Sequence, residues 1–166
     1  MQESAVPASV RHFRRQDDGV YLEERTFLAK ARRSQRTPQI NLTEVSKQVV
    51  DAAYRIHTEL GPGLLESVYE VVLAHESENR GLRAVRQQEV PVVYRGTQIE
   101  MGFRADLIVE DKVIVEIKSI ETVLVVHKKQ LLTYLRLADK RLGLLINFNV
   151  ALIKDGITRI ANGMPN

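Results

Sequence analysis

The 166-residue chain has no cysteine and no tryptophan. Without cysteine it can form no disulfide, no Cys-ligated zinc site and no iron–sulfur cluster. It also lacks any apolar run near the roughly 18–20 residues that cross a bilayer. Its first residues, MQESAVPASVRHFRRQDD, contain no apolar signal segment. The expectation is a soluble, cytoplasmic protein with no membrane partner. There is no P-loop, no G-x-S-x-G elbow and no H-E-x-x-H pattern. Aromatic residues are sparse at 5%, yet hydrophobic residues reach 44%. That is enough for a packed core and excludes wholesale disorder. The length fits one compact domain with a modest extension.

A surplus of charge is also nearly absent, with 24 Lys+Arg against 21 Asp+Glu. Residues 1–40 hold eight Lys/Arg and five Asp/Glu, which accounts for the whole net charge of +3. The body that follows is neutral, so total charge gives no reason to assign it an anionic partner. The first segment has few apolar residues and no sustained periodicity. Residues 1–38 are therefore expected to be a basic, mobile tail, and residues 39–166 the folded domain. A basic tail can touch nucleic acid, but a solvated extension is the plainer reading.

Within the body, Asn41 or Thr43 can cap a helix in which Val45, Val49, Ala52, Ile56 and Leu60 recur at helical spacing. Gly61-Pro62-Gly63 breaks it, and a second helix is expected from Leu64 to Asn79, ended by Gly81. Short strands are expected at Leu82–Val85, Val90–Tyr94, Gln98–Met101, Phe103–Glu110 and Val113–Ile117, with Pro91 pointing to a sheet edge. A helix from Val125 to Ala138 follows. The apolar run Leu142–Phe148 reads as a buried central strand. Asp155-Gly156, between Ala151–Lys154 and Ile157–Ile160, reads as a hairpin turn. This order predicts a mixed α/β (α+β) fold, a central sheet flanked by helices.

The chemistry concentrates around one expected hairpin. Glu116 and Lys118 are two apart on a strand and share a face. If the strands pair through residues 110–112, Asp106 falls opposite Glu116. Two carboxylates placed opposite each other repel, and a cation between them reverses the sign of that interaction. Mg²⁺ takes oxygen ligands, commonly one or two carboxylates with water and substrate phosphate. On spacing alone, a surface Glu–Lys pair beside a solvated Asp remains equally open.

Asp106 followed by Glu116-Ile117-Lys118 resembles the core of the PD-(D/E)XK nuclease superfamily, with Ala105 where the leading proline would stand. Gly63-Leu64-Leu65-Glu66-Ser67-Val68-Tyr69 resembles the motif that names the GxxExxY proteins of that superfamily. Gln130 to Leu135 and Leu142 to Phe148 are similar to the same proteins, so the likeness spans roughly residues 41–162. It implies a restriction-endonuclease-like core and a Mg²⁺- or Mn²⁺-dependent nuclease acting on nucleic acid, with DNA the expected substrate. It also implies roles. Asp106, Glu116 and the Ile117 main-chain carbonyl would hold the metal, and Lys118 would be the catalytic lysine. Glu66 would be the helical glutamate and Gln130 a polar residue supporting the lysine or the water.

Tyr69, Arg104 and His127 are possible accessory residues. Each also has an ordinary reading: a core ring with its hydroxyl at the rim, a strand flank and a helix-end histidine. The rival function is a nuclease-like fold without catalysis that serves as a nucleic-acid or protein interaction module. The neutral body favours that rival. The full set of acids with the lysine opposes it.

Overall fold

The computed structural model describes residues 40–163, with only the backbone described at Glu100 and Met101. The expected basic tail at 1–38 lies outside the described residues. Helix α1, Leu42–Leu60, begins where the Asn41 side chain accepts the Glu44 N–H at 2.8 Å, the usual way an N-cap satisfies a free helix donor. Its buried stripe is Val45, Val49, Ala52, Ala53 and Ile56. Gly61, at φ +69, ends it. Helix α2 spans Glu66–Asn79 and buries Tyr69, Glu70, Leu73, Ala74 and Ser77.

Five strands follow in the order β1-β2-β3-β4-β5 across one sheet. They are β1, Ala84–Tyr94; β2, Thr97–Val109; β3, Val113–Lys118; β4, Leu142–Asn147; and β5, Ile157–Ala161. β3 and β4 run parallel, and the other neighbours are antiparallel. Helix α3, Val125–Leu137, makes the crossover between the parallel pair. The sheet therefore separates two apolar layers. Val113, Val115, Ile117, Leu142, Leu144 and Ile146 meet α1 and α2 on one face. Ile114 and Leu145 meet Leu131 and Leu135 of α3 on the other. Gly143 permits that second contact, because a Cβ there would sit 2.9 Å from Leu131 Cγ. Among the described residues, no helix is long and apolar enough to cross a membrane.

β4 is buried along its whole length, as its apolar run predicts, and β1 is the edge strand that Pro91 predicts. Other expectations are corrected. The polar stretch Gln87-Gln88-Glu89 reads as a break, but Arg86, Gln88 and Glu89 pair with β2 on either side of Gln87, so Leu82–Val85 and Val90–Tyr94 are not separate strands. Gly102 reads as another break, yet it lies within β2 opposite a register shift at Val90/Val92. A Cβ at Gly102 would come within 2.1 Å of Val92 Cγ2, so glycine lets the strand continue past the irregularity. No hairpin forms at Asp155-Gly156. Ile153–Gly156 is one helical turn, α4, that runs straight into β5. Burial of Ile153 draws the segment inward. Gly156 packs where a Cβ would lie 2.1 Å from the Asn147 carbonyl oxygen.

Candidate active site

β2 and β3 pair at Leu107–Val115, Ile108–Ile114 and Val109–Val113, the register expected from the acidic turn. One step further stand Asp106 and Glu116. There the backbone ladder stops, and the Asp106 side chain replaces it: the Ile117 N–H donates to Asp106 Oδ2 at 2.9 Å. Glu116 is 6% exposed. Its Oε1 accepts from Lys118 Nζ at 2.8 Å. Its Oε2 is buried without a hydrogen-bond partner. A buried carboxylate oxygen left unpaired is costly and calls for an explanation such as an ion.

The electrostatics describe one coupled cluster. Burial pushes the Asp106 carboxyl above its ordinary value, while the Ile117 N–H and Lys118 pull it back and Glu70 and Glu66 add to the rise. Burial also raises Glu116, as does the charge of Asp106, and Lys118 opposes both. For Lys118 itself burial lowers the pKa, but the hydrogen bond and charge of Glu116, with the charges of Asp106 and Glu66, outweigh it and leave the pKa raised. Lys118 is thus held as an ammonium between acids that resist ionisation.

Glu66 opens α2 and reaches across to the residue after β3, where the Ser119 N–H donates to its Oε1 at 3.0 Å. Ser119 Oγ donates to the Leu64 carbonyl at 2.6 Å. These two bonds tie the N-terminus of α2 to the end of the strand that carries Glu116 and Lys118. Leu64 to Ser67, Ser119 and Asn149 line an open cleft of about 570 Å³. The buried Asn147 fixes the same loop from β4, bonding both the N–H and the carbonyl of Ile120.

The structure brings Asp106, Glu116 and Lys118 together around the Ile117 backbone, and the charge of Glu66 bears on all three from the start of α2. The other candidates make local contacts of their own. The Tyr69 ring is buried and stacks on Phe148 at 4.2 Å, while its hydroxyl donates to the Gly61 carbonyl and accepts the Leu64 N–H. It shapes the turn before α2. The Gln130 side-chain amide donates to the Tyr134 hydroxyl one helical turn away. His127 Nδ1 accepts the Leu124 N–H and caps α3. Arg104 is exposed on β2. Two residues near the site escape a reading of the sequence. They are Glu70, whose charge bears on Asp106, and Gln87, which binds it. The signal available was an acid one turn after Glu66, next to a tyrosine expected to be buried.

Among the described residues, no group of three or more His, Cys, Asp or Glu side chains is gathered to hold a cation unaided. The donors present still suit Mg²⁺ or Mn²⁺. They are all oxygen, they include an unpaired buried atom, and such ions complete their shells with water and phosphate. A family model described as the PD-(D/E)XK nuclease superfamily matches residues 43–160, which include every member of the cluster. No curated protein and no solved structure matches the chain.

Proposed function

The chain belongs to the PD-(D/E)XK nuclease superfamily, and from that premise we propose that it is a divalent-metal-dependent phosphodiesterase that cuts nucleic acid, with DNA as substrate. Asp106, Glu116 and the Ile117 carbonyl would hold Mg²⁺ or Mn²⁺. Bound there, the metal would supply Lewis-acid polarisation of the scissile phosphate and a lower pKa for a bound water. The chain's own residues do the rest. Asp106 is held in place by the Ile117 N–H. Lys118 presents an ammonium that can orient the attacking water and offset negative charge as it grows on the phosphate. Glu66 keeps the loop after β3 in register with α2.

The observation that carries this reading is Glu116, buried, bound on one oxygen by Lys118 and unpaired on the other. The test is cleavage of single-stranded, double-stranded and branched DNA, with RNA alongside, in Mg²⁺ or Mn²⁺. Cleavage by the wild-type protein and its loss in Asp106→Ala and Lys118→Ala are expected. No cleavage of any substrate, or equal cleavage by Asp106→Ala, refutes the reading.

One observation favours the second reading, a non-catalytic interaction module. Lys118 gives one of its three N–H donors to Glu116, so part of its charge is spent inside the protein. A protein that binds the same nucleic acids and cuts none of them would fit that module.

A further inference from the structure

The β1–β2 ladder skips one pair. Arg86 pairs with Leu107 and Gln88 with Ala105, but Gln87 and Asp106, which would face each other between them, do not pair. Gln87 has φ +51, a left-handed conformation that costs a non-glycine residue. Its side chain shows what holds it there. The Gln87 amide donates to Glu70 Oε2, and Arg86 Nε donates to Glu70 Oε1 at 2.8 Å. Glu70 is itself 6% exposed, seated on α2 beneath the strand. Helix α2 therefore grips β1 at Gln87, where the ladder opens, and at the paired Arg86 just before it.

The consequence falls on Asp106. Ala105 and Leu107 flank it and would share a face in a regular strand. Instead Ala105 packs in the layer of α3 and Leu107 in the layer of α1 and α2. The strand rolls over at Asp106, and freed from the ladder on both sides its carboxylate meets the Ile117 N–H.

We propose that the Glu70–Gln87 clasp is a positioning device that keeps β1 open opposite Asp106 and so aims the Asp106 carboxylate at the cation site. The inference rests on the reading that Asp106 holds the metal. Neither Glu70 nor Gln87 touches the reacting atoms. They act through Asp106, much as the outer partners of a metal ligand fix its orientation.

The test is calorimetric titration of the full chain with Mn²⁺ alone, at a temperature where circular dichroism shows each variant folded. Gln87→Gly removes the amide and adopts positive φ without penalty, while unpairing the buried Glu70 Oε2 should lower its metal-free melting temperature somewhat. Its Mn²⁺ affinity should fall by about 10-fold, the lower end for losing a ligand's outer partner. Gln87→Asn, which tolerates the same backbone but is too short to reach Glu70, should fall likewise. Asp106→Ala should bind no Mn²⁺. If either Gln87 variant binds Mn²⁺ as tightly as wild type while Asp106→Ala does not bind, the clasp inference is overturned and the metal reading stands. If the wild-type protein binds no Mn²⁺, both are overturned.

Discussion

Asp106 Oδ2 and the Ile117 amide nitrogen lie 2.9 Å apart at the point where the β2–β3 ladder ends. The bond makes a site acid into a piece of the sheet. It satisfies a backbone donor that would otherwise lack a partner, and it fixes the acid beside Glu116 and Lys118. A carboxylate so placed acts on stability as well as on chemistry, and the two can be separated.

Burial raises both Asp106 and Glu116 above their ordinary values of 3.8 and 4.5. The folded protein therefore holds these protons more tightly than the unfolded chain. Their favourable contribution is complete below the unfolded values and is lost as pH rises through the higher folded ones. At pH 7 without metal the two ionised acids cost stability, while the raised Lys118 returns some of it. Asp106→Asn, whose amide oxygen can still accept the Ile117 N–H, should raise the metal-free melting temperature at pH 7 by about 2–4 °C, as roughly 1 kcal/mol does in a chain of this size. Melting curves at pH 7 and near pH 4 check this, since the gain should shrink at the lower pH.

Among the described residues, Lys118 is the one cation paired with Glu116. Lys118→Ala should lower cleavage by about 10²- to 10³-fold, as removal of a single charge-stabilising group does elsewhere. It should also push the Glu116 carboxyl further up, because the opposing charge is gone. Single-turnover cleavage rates measured across pH read both effects.

Tyr69 supports the turn before α2 with its hydroxyl and the core with its ring. Tyr69→Phe should cost about 1 kcal/mol, the net worth of a typical hydrogen bond. Tyr69→Ala should cost about 3–5 kcal/mol by emptying a fully buried ring site. Urea denaturation of the two variants gives the comparison. A Phe variant as damaged as the Ala variant would contradict the division of roles.

Gly143→Ala should destabilise by about 1–3 kcal/mol, the cost of an extra methyl group in a packed core. The new Cβ would lie 2.9–3.0 Å from Leu131 side-chain atoms. Combining it with Leu131→Val should recover part of the loss. A double-mutant cycle in denaturant measures that coupling.

The sequence was most informative where periodicity and turn chemistry agree. The Asn41 cap, the apolar stripe of α1, the register through residues 110–112 and the buried β4 all follow from local rules. It was least informative where a partner elsewhere overrides a local preference. Gln87-Gln88-Glu89 is polar enough to read as a loop, yet β2 pairing and Glu70 hold it as strand. Asp155-Gly156 has hairpin composition, but β5 takes β4 as its partner and leaves no strand for a hairpin. At the site, spacing placed Asp106 next to Glu116 and Lys118, and likeness to the superfamily added Glu66. The Glu70–Gln87 clasp was invisible because it joins residues 17 apart through side chains alone.

The central claim is that Asp106 and Glu116 form a cation site, and thermal unfolding with and without Mg²⁺ or Mn²⁺ tests it most directly. A cation bound only by the folded state, at 100 times its dissociation constant, adds about 2.7 kcal/mol. The wild-type melting temperature should therefore rise by several degrees with metal, and Glu116→Gln should show no rise. No rise in the wild-type protein, or an equal rise in Glu116→Gln, would contradict the claim.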